Sequence, residues 1–138
     1  MKIQATSISI GSHAYLITGE TNTGKSSLAL ALINQGAKLI SDDITEIING
    51  YAVAPENYRG WLEVRGIGLI SGFDVCSRAK VVAIINLTEN KPERMPSLKK
   101  GELPVFQIWT KDKNQVDKVL VIDKILNKTL SIESGKEV

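Results

Sequence analysis

The sequence predicts an α/β fold with a mixed sheet, and three patterns support this fold class. Residues 19–26 read GETNTGKS, which fits the phosphate-binding pattern G-x-x-x-x-G-K-S/T that joins a strand to a helix. The strand predicted over 3–10 is connected to the strand over 13–18 by a two-residue turn, so these strands must form an antiparallel hairpin. Residues 79–87 are almost continuously apolar and rich in β-branched side chains, which is typical of a central strand covered on both faces.

The other elements follow from apolar periodicity and turn residues. Apolar residues at helical spacing predict a helix over 25–35, which Gly36 caps. Asn49 and Gly50 predict a type I′ turn between two short strands. The remaining assignments are strands over 37–41, 44–48, 51–54, 61–65 and 103–110, a turn or short helical piece over 56–60, a loop over 66–70 that enters a short helix or turn, an exposed loop over 88–102, and an amphipathic helix over 112–127.

Length and composition favour a single domain over residues 1–138. A chain of 138 residues can bury about two-thirds of the surface that it exposes when unfolded. Its net charge of +2 is too small to indicate binding to nucleic acid. One cysteine, Cys76, excludes an internal disulfide and fits a cytoplasmic protein. No apolar stretch reaches the roughly 18 residues that a membrane span needs, so we expect no membrane association.

The phosphate-binding loop, called the P-loop below, predicts a nucleotide site. Its main-chain N–H groups and the N-terminus of the following helix would bind phosphates. The Lys25 ammonium would reach the outer phosphates, and the Ser26 hydroxyl would hold Mg²⁺. Many such loops have a glycine where this chain has Asn22, so we predict a positive φ there. The predicted nucleotide-binding residues are Gly19, Glu20, Thr21, Asn22, Thr23, Gly24, Lys25 and Ser26.

Two further stretches carry charged groups that can act on a bound phosphate. Asp42 and Asp43 follow a strand that lies next to the P-loop strand, and side chains alternate faces, so one carboxylate can face the phosphates. A carboxylate there could accept the proton of an attacking hydroxyl. Glu63 and Arg65 lie two residues apart on one strand face. Gly66 and Gly68 follow, and because glycine has no side chain, the backbone there can approach a ligand closely.

Together these segments resemble the catalytic domain of the HPr kinase/phosphorylase family. The resemblance is carried by the hairpin before the P-loop, by GETNTGKSSLALALINQGAKLISDD and by LEVRGIGLI. That family's domain is similar to the nucleotide-binding part of phosphoenolpyruvate carboxykinase. The resemblance implies a kinase that uses ATP and Mg²⁺ to phosphorylate a serine of HPr, a phosphocarrier protein of the sugar phosphotransferase system. Many members also remove that phosphate by phosphorolysis.

The same resemblance implies roles for individual residues. Lys25, Asp43 and Arg94 would be catalytic, with Asp43 taking the proton from the HPr serine. Ser26 and Glu63 would bind Mg²⁺. Residues 63–72 would form a flexible catalytic stretch, and family members are similar in forming hexamers, so we expect a homo-oligomer.

Some features differ from the family pattern. Gln4 stands where the family has a histidine, and Gln cannot carry a proton near neutral pH. The chain resembles a short form without the preceding domain of longer members, and it lacks their segment associated with dephosphorylation. We therefore expect the kinase reaction to dominate over the phosphorylase reaction.

Three functions are compatible with the sequence. The first is a protein serine kinase that acts on HPr or a related phosphocarrier. The second, motivated by Gln4, is a non-catalytic module that senses nucleotides. The third is a small-molecule kinase or carboxykinase-like phosphotransferase, because one fold can host several phosphotransfer reactions.

Overall fold

The computed structural model of the protein describes residues 1–92 and 102–132, which form two α-helices and ten strands. The helices are α1 (Lys25–Ile33) and α2 (Gln115–Leu126), and Glu56–Tyr58 forms one turn of 3₁₀ helix. The strands are β1 (Lys2–Gln4), β2 (Thr6–Ile10), β3 (His13–Gly19), β4 (Lys38–Ser41), β5 (Ile44–Ile48), β6 (Tyr51–Val53), β7 (Leu62–Val64), β8 (Gly68–Ile70), β9 (Ala79–Thr88) and β10 (Val105–Trp109).

Eight of these strands form one mixed sheet, which confirms the predicted fold class. The order is β1-β5-β6-β9-β3-β2-β4, and β10 pairs with β9. The hairpin β2–β3 is antiparallel as predicted, whereas β3 and β9 are parallel. The long strand β9 therefore lies at the centre of the sheet, between β3 on one side and both β6 and β10 on the other.

The predicted strand over 3–10 is divided in the structure. β1 pairs with β5, whereas β2 pairs with β3 and β4, and Ala5 separates them. Apolar residues stand at positions 3 and 5 before this point and at 8 and 10 after it, so the alternation shifts by one residue here, and the prediction of one strand over 3–10 overlooked that shift. The break lets one stretch of chain serve two places in the same sheet.

The segment 66–70, predicted to be a loop entering a short helix or turn, is in part a strand. β8 pairs antiparallel with β7 to form a separate two-stranded sheet. Gly66 has φ 83° in the connecting turn, which only glycine adopts readily. The prediction was wrong because glycines suggest a loop, yet here they form the turn of a hairpin. Trp61, directly before β7, is 43% exposed.

Both helices pack on the same face of the large sheet. Leu28 and Leu32 of α1 and Val119 of α2 join Tyr15 and other side chains of the sheet in the larger hydrophobic cluster. A smaller cluster lies on the opposite face and contains Leu16, which alternates with Tyr15 along β3. Within 1–92 and 102–132, neither helix has the length and apolar character that a membrane crossing requires.

Candidate functional site

The P-loop lies between β3 and α1, as the motif predicts. Asn22 has φ 66°, which confirms the predicted positive value, and Gly24 has φ 96°. Gly24 is the N-cap of α1 and no side chain caps the helix. Because the first N–H groups of a helix have no intrahelical partner, the start of α1 can donate hydrogen bonds to an anion.

Gly19 begins the P-loop at a point where no side chain fits. A Cβ atom at this position would lie 2.7 Å from Thr23 Oγ1 and 2.9 Å from the carbonyl oxygen of Leu87, with φ at 148°. Thr23 is itself buried and its hydroxyl donates to the carbonyl of Glu20 at 2.7 Å. The start of the P-loop thus packs closely against the end of the central strand β9, and this contact fixes the position of Gly19.

The Lys25 side chain folds back over the P-loop. Its Nζ donates to the carbonyl oxygens of Gly19 and Glu20, each at 2.9 Å. No carboxylate lies within ion-pairing distance of this ammonium among the described residues. Its positive charge is therefore available to an anion that enters above the loop.

Asp42 connects three elements around the P-loop. Its Oδ1 accepts hydrogen bonds from Thr6 Oγ1 at 2.9 Å and from Ser26 Oγ at 2.7 Å, while its Oδ2 accepts one from the main-chain N–H of Glu63 at 3.0 Å. The residue is only 8% exposed. Buried carboxylates are stable when such donors satisfy them, so Asp42 acts as the structural member of the Asp42–Asp43 pair.

Asp43 has the same chemistry as its neighbour but the opposite environment. Its φ of 69° turns the chain sharply, and the side chain is exposed. Asp is one of the few residues other than glycine that tolerates this conformation. The main-chain N–H of Asp43 donates to Thr6 Oγ1 at 3.2 Å, which holds the turn. The sharp turn separates the two carboxylates and leaves Asp43 facing the cavity beside the P-loop.

A cavity of about 430 Å³ brings together most residues that the sequence singled out. Its walls include Lys25 and Ser26 from the start of α1, Asp43 from the turn after β4, and Glu63 from β7. Thr21, Asn22 and Gly24 also line it. The strands and loops that carry these groups are far apart in sequence, so the fold concentrates them at the carboxyl end of β3.

Not every predicted residue lies on the cavity wall. Gly19, Glu20 and Thr23 shape the loop from behind, through the contacts described above, and do not line the cavity. Arg94 lies outside the described residues.

The structure also adds residues that sequence reasoning missed. Thr6 connects Asp42 to the turn at Asp43, and no motif marks it. Gln4 lines the cavity, which its place in the resemblance could have indicated. Arg65 donates from Nη2 to Asn22 Oδ1 at 2.9 Å and so links the β7–β8 hairpin to the P-loop. The sequence placed Arg65 beside Glu63 but gave no sign of this contact.

The cavity contains donors that suit Mg²⁺. The Ser26 hydroxyl gives its hydrogen to Asp42, so its lone pairs can face a cation. Glu63 adds an exposed carboxylate on the same wall. Magnesium in nucleotide sites is usually held by one or two such oxygens together with phosphates and waters. The described residues contain no cluster of three His, Cys, Asp or Glu side chains suited to a metal, so this pair is the candidate.

Comparison with known proteins gives concordant relatives. The chain is similar to the HPr kinase/phosphorylase of Clostridium beijerinckii, with 34% identity over 116 residues that make up 81% of this chain and 34% of the relative. It is 36% identical over 97 residues to the HPr kinase/phosphorylase of Neisseria meningitidis, covering 60% of this chain and 29% of that protein. The chain thus spans about a third of the length of these curated relatives.

A solved structure has a similar fold over nearly the whole chain. The Hpr(Ser) kinase/phosphatase from Coxiella burnetii superposes with a TM-score of 0.76 at 26% identity, covering 94% of this chain and 99% of that one. The sequence profile of the HPr Serine kinase C-terminal domain matches residues 1–97, which contain the P-loop, both aspartates and the β7–β8 hairpin. The chain therefore belongs to the HPr Serine kinase C-terminal domain family.

Proposed function

We propose that this chain is a single kinase domain that transfers the terminal phosphoryl group of ATP to a serine of an HPr-type phosphocarrier. The observation that carries the proposal is the cavity in which Lys25, Ser26, Asp43 and Glu63 meet beside the P-loop. Membership of the family supports the choice of HPr as acceptor. Two further parts of the proposal have other grounds: the single cysteine supports a cytoplasmic location, and the family resemblance supports assembly into a homo-oligomer.

The P-loop residues bind and orient the nucleotide. The N–H groups at the start of α1 donate to phosphate oxygens, and Lys25 exchanges its bonds to the Gly19 and Glu20 carbonyls for bonds to the outer phosphates. Ser26 and Glu63 would hold Mg²⁺, which when bound would supply positive charge beside the phosphates. Asp42 accepts the hydroxyl hydrogen of Ser26, which would leave the lone pairs of that oxygen free for the metal.

Asp43 acts as the general base that accepts the proton of the HPr serine. The serine oxygen forms a bond to the terminal phosphorus, and the bond between that phosphorus and the bridging oxygen of ADP breaks. The proton of the serine hydroxyl moves to the Asp43 carboxylate, which is exposed on the cavity wall. Phosphorolysis would run through the same residues with the proton returned, and we propose it as the minor reaction.

A second candidate function is nucleotide sensing without transfer. The observation that favours it is Gln4, which lines the cavity with Asp43 where the family resemblance places a histidine. A glutamine amide can donate and accept hydrogen bonds but adds no positive charge near the phosphates. In that case the protein would bind ATP tightly and leave HPr unmodified.

Incubation with γ-labelled ATP, Mg²⁺ and HPr separates the two functions. Label on an HPr serine is the result expected for the kinase, and ATP binding without label is the result expected for the sensor. Asp43→Asn should lower the transfer rate by about 100-fold or more, because general-base catalysis typically contributes that much. ATP affinity should stay unchanged, since Asn also tolerates the positive φ at this position.

The matched control is Asp117→Asn, which removes an exposed carboxylate on α2 away from the cavity. This variant should transfer phosphate at the rate of the unmodified protein. Full transfer activity in Asp43→Asn would remove Asp43 from the mechanism, and loss of activity in both variants would point to damage of the fold.

A further inference from the structure

One contact joins the P-loop to the hairpin that forms the opposite wall of the cavity. Arg65 follows β7 in the turn to β8, and its Nη2 donates to the side-chain oxygen of Asn22 at 2.9 Å. Both residues line the cavity. The hairpin otherwise forms a separate two-stranded sheet, so this bond fixes the position of its turn relative to the loop.

The guanidinium of Arg65 carries a charge that no described carboxylate neutralises. No described acidic group lies within ion-pairing distance of it, and its one side-chain hydrogen bond goes to the neutral amide of Asn22. A guanidinium has five N–H donors, and an acceptor with one oxygen leaves most of them free. Arg65 therefore presents unused donors and a full positive charge at the edge of the cavity.

Asn22 is the part of this contact that distinguishes the chain. Many P-loops have glycine at this position, and glycine offers no side-chain acceptor. Asn22 adopts φ 66°, so it keeps the backbone conformation of a glycine while adding an amide. The residue thus combines the shape of the usual loop with a contact that the usual loop cannot make.

We propose that Asn22 is a positioning residue that holds the Arg65 guanidinium over the P-loop, where Arg65 binds the outer phosphates of the nucleotide together with Lys25. The inference rests on the proposed nucleotide binding of this cavity and extends it. A guanidinium matches the oxygens of a phosphate with paired donors, which an ammonium does not. Because Asn22 orders Arg65 before the ligand arrives, less ordering remains when the nucleotide binds.

A double-mutant cycle measured by calorimetry tests the pair, with ATP as the probe in the presence of Mg²⁺. Arg65→Gln should weaken ATP binding by about 10- to 100-fold, because charged hydrogen bonds to the phosphates are lost. Asn22→Gly should weaken it by about three- to tenfold. The double variant should bind no more weakly than Arg65→Gln alone, since Asn22 acts only through Arg65. Affinity for AMP, which lacks the outer phosphates, should stay the same in all variants.

Asn49→Gly is the matched control. Asn49 also has a positive φ, 51°, but lies in the turn between β5 and β6 and does not line the cavity. This variant makes the same chemical change at a comparable backbone conformation, and ATP affinity should not change. Thermal unfolding of each variant shows whether a loss of affinity comes from loss of structure.

The outcomes separate this inference from the kinase proposal. Additive effects of the two substitutions, or ATP binding by Asn22→Gly as tight as that of the unmodified protein, would overturn the role of Asn22. An equal loss of AMP and ATP affinity would overturn the assignment to the outer phosphates. ATP binding with the predicted coupling but without transfer to HPr would overturn only the kinase proposal, and absence of ATP binding in the unmodified protein would overturn both.

Discussion

Two nearly buried carboxylates, Asp42 and Asp123, are 8% and 9% exposed but have different kinds of partners. Asp42 binds groups from β2, α1 and β7, and α1 and β7 both line the cavity. Asp123 binds Tyr15 Oη at 2.6 Å and His13 Nδ1 at 3.2 Å, and so connects α2 to β3. Equal burial therefore does not imply an equal role: one carboxylate orients the site, and the other attaches a helix to the sheet.

Substitution of Asp42 should have the larger effect on function. Asp42→Asn replaces one acceptor oxygen with an amide that donates, so one of the donors from Thr6, Ser26 and Glu63 loses its acceptor. The apparent Mg²⁺ affinity in the transfer assay should fall by about 10- to 100-fold, because substitution of a residue that orients a metal ligand typically lowers metal affinity or activity by that much. A Mg²⁺ titration of the transfer rate measures this effect.

Asp123→Asn is the comparison variant. It should lower the free energy of unfolding by about 1–3 kcal/mol, because Tyr15 or His13 loses a charged acceptor in a mostly buried place. ATP affinity and Mg²⁺ dependence should not change, since α2 contributes no residue to the cavity. Urea unfolding and calorimetry measure the two quantities. If Asp123→Asn shifted the Mg²⁺ dependence as much as Asp42→Asn, the division between the two carboxylates would be wrong.

The smallest expected effect concerns alkaline pH. Burial raises the pKa of Tyr15 far above its usual value of about 10, and the hydrogen bond to Asp123 and the charge of that carboxylate raise it further. Above pH ~10 the unfolded chain ionises this tyrosine while the folded protein keeps it neutral. The stabilisation is therefore complete below pH ~10 and decreases as the pH rises.

Tyr15→Phe should remove this part of the pH dependence. The variant should be less stable by about 1 kcal/mol near neutral pH, because a hydrogen bond to a carboxylate is lost. Between about pH 10 and 11 its free energy of unfolding should fall less steeply than that of the unmodified protein. Parallel pH profiles of the two proteins in urea unfolding would contradict the assignment to Tyr15.

Much of the fold could be predicted because local patterns determine it. The strand–loop–helix around the P-loop and the hairpin β2–β3 are set by apolar runs and short turns. Asn49 and Gly50 have φ 51° and 84°, as the type I′ turn requires. The break at Ala5 was missed although the apolar alternation shifts by one residue after it, because the shift does not show which partner each half takes. The strand β8 was missed because it depends on which strands are adjacent, and that information is not local.

The candidate site also contains residues that local sequence predicts and residues that depend on non-local contacts. The residues of the P-loop motif and Glu63 could be selected from chemistry and resemblance, and most of them line one cavity. Which of Asp42 and Asp43 faces that cavity depends on a positive φ at Asp43, which composition does not show. The contacts of Thr6 with Asp42 and of Arg65 with Asn22 join residues about 40 positions apart, and only the folded chain brings them together.

Trp61 is an intrinsic fluorescent probe next to the β7–β8 hairpin. Its indole is partly in water, directly before β7, and the whole sequence has just two tryptophans. Because the emission of an indole depends on its exposure to water, a ligand bound in the neighbouring cavity should shift the fluorescence of Trp61. In a Trp109→Phe variant, Trp61 would be the single tryptophan and the source of the whole tryptophan signal. Stopped-flow fluorescence could then measure the rate of ligand binding without an attached dye.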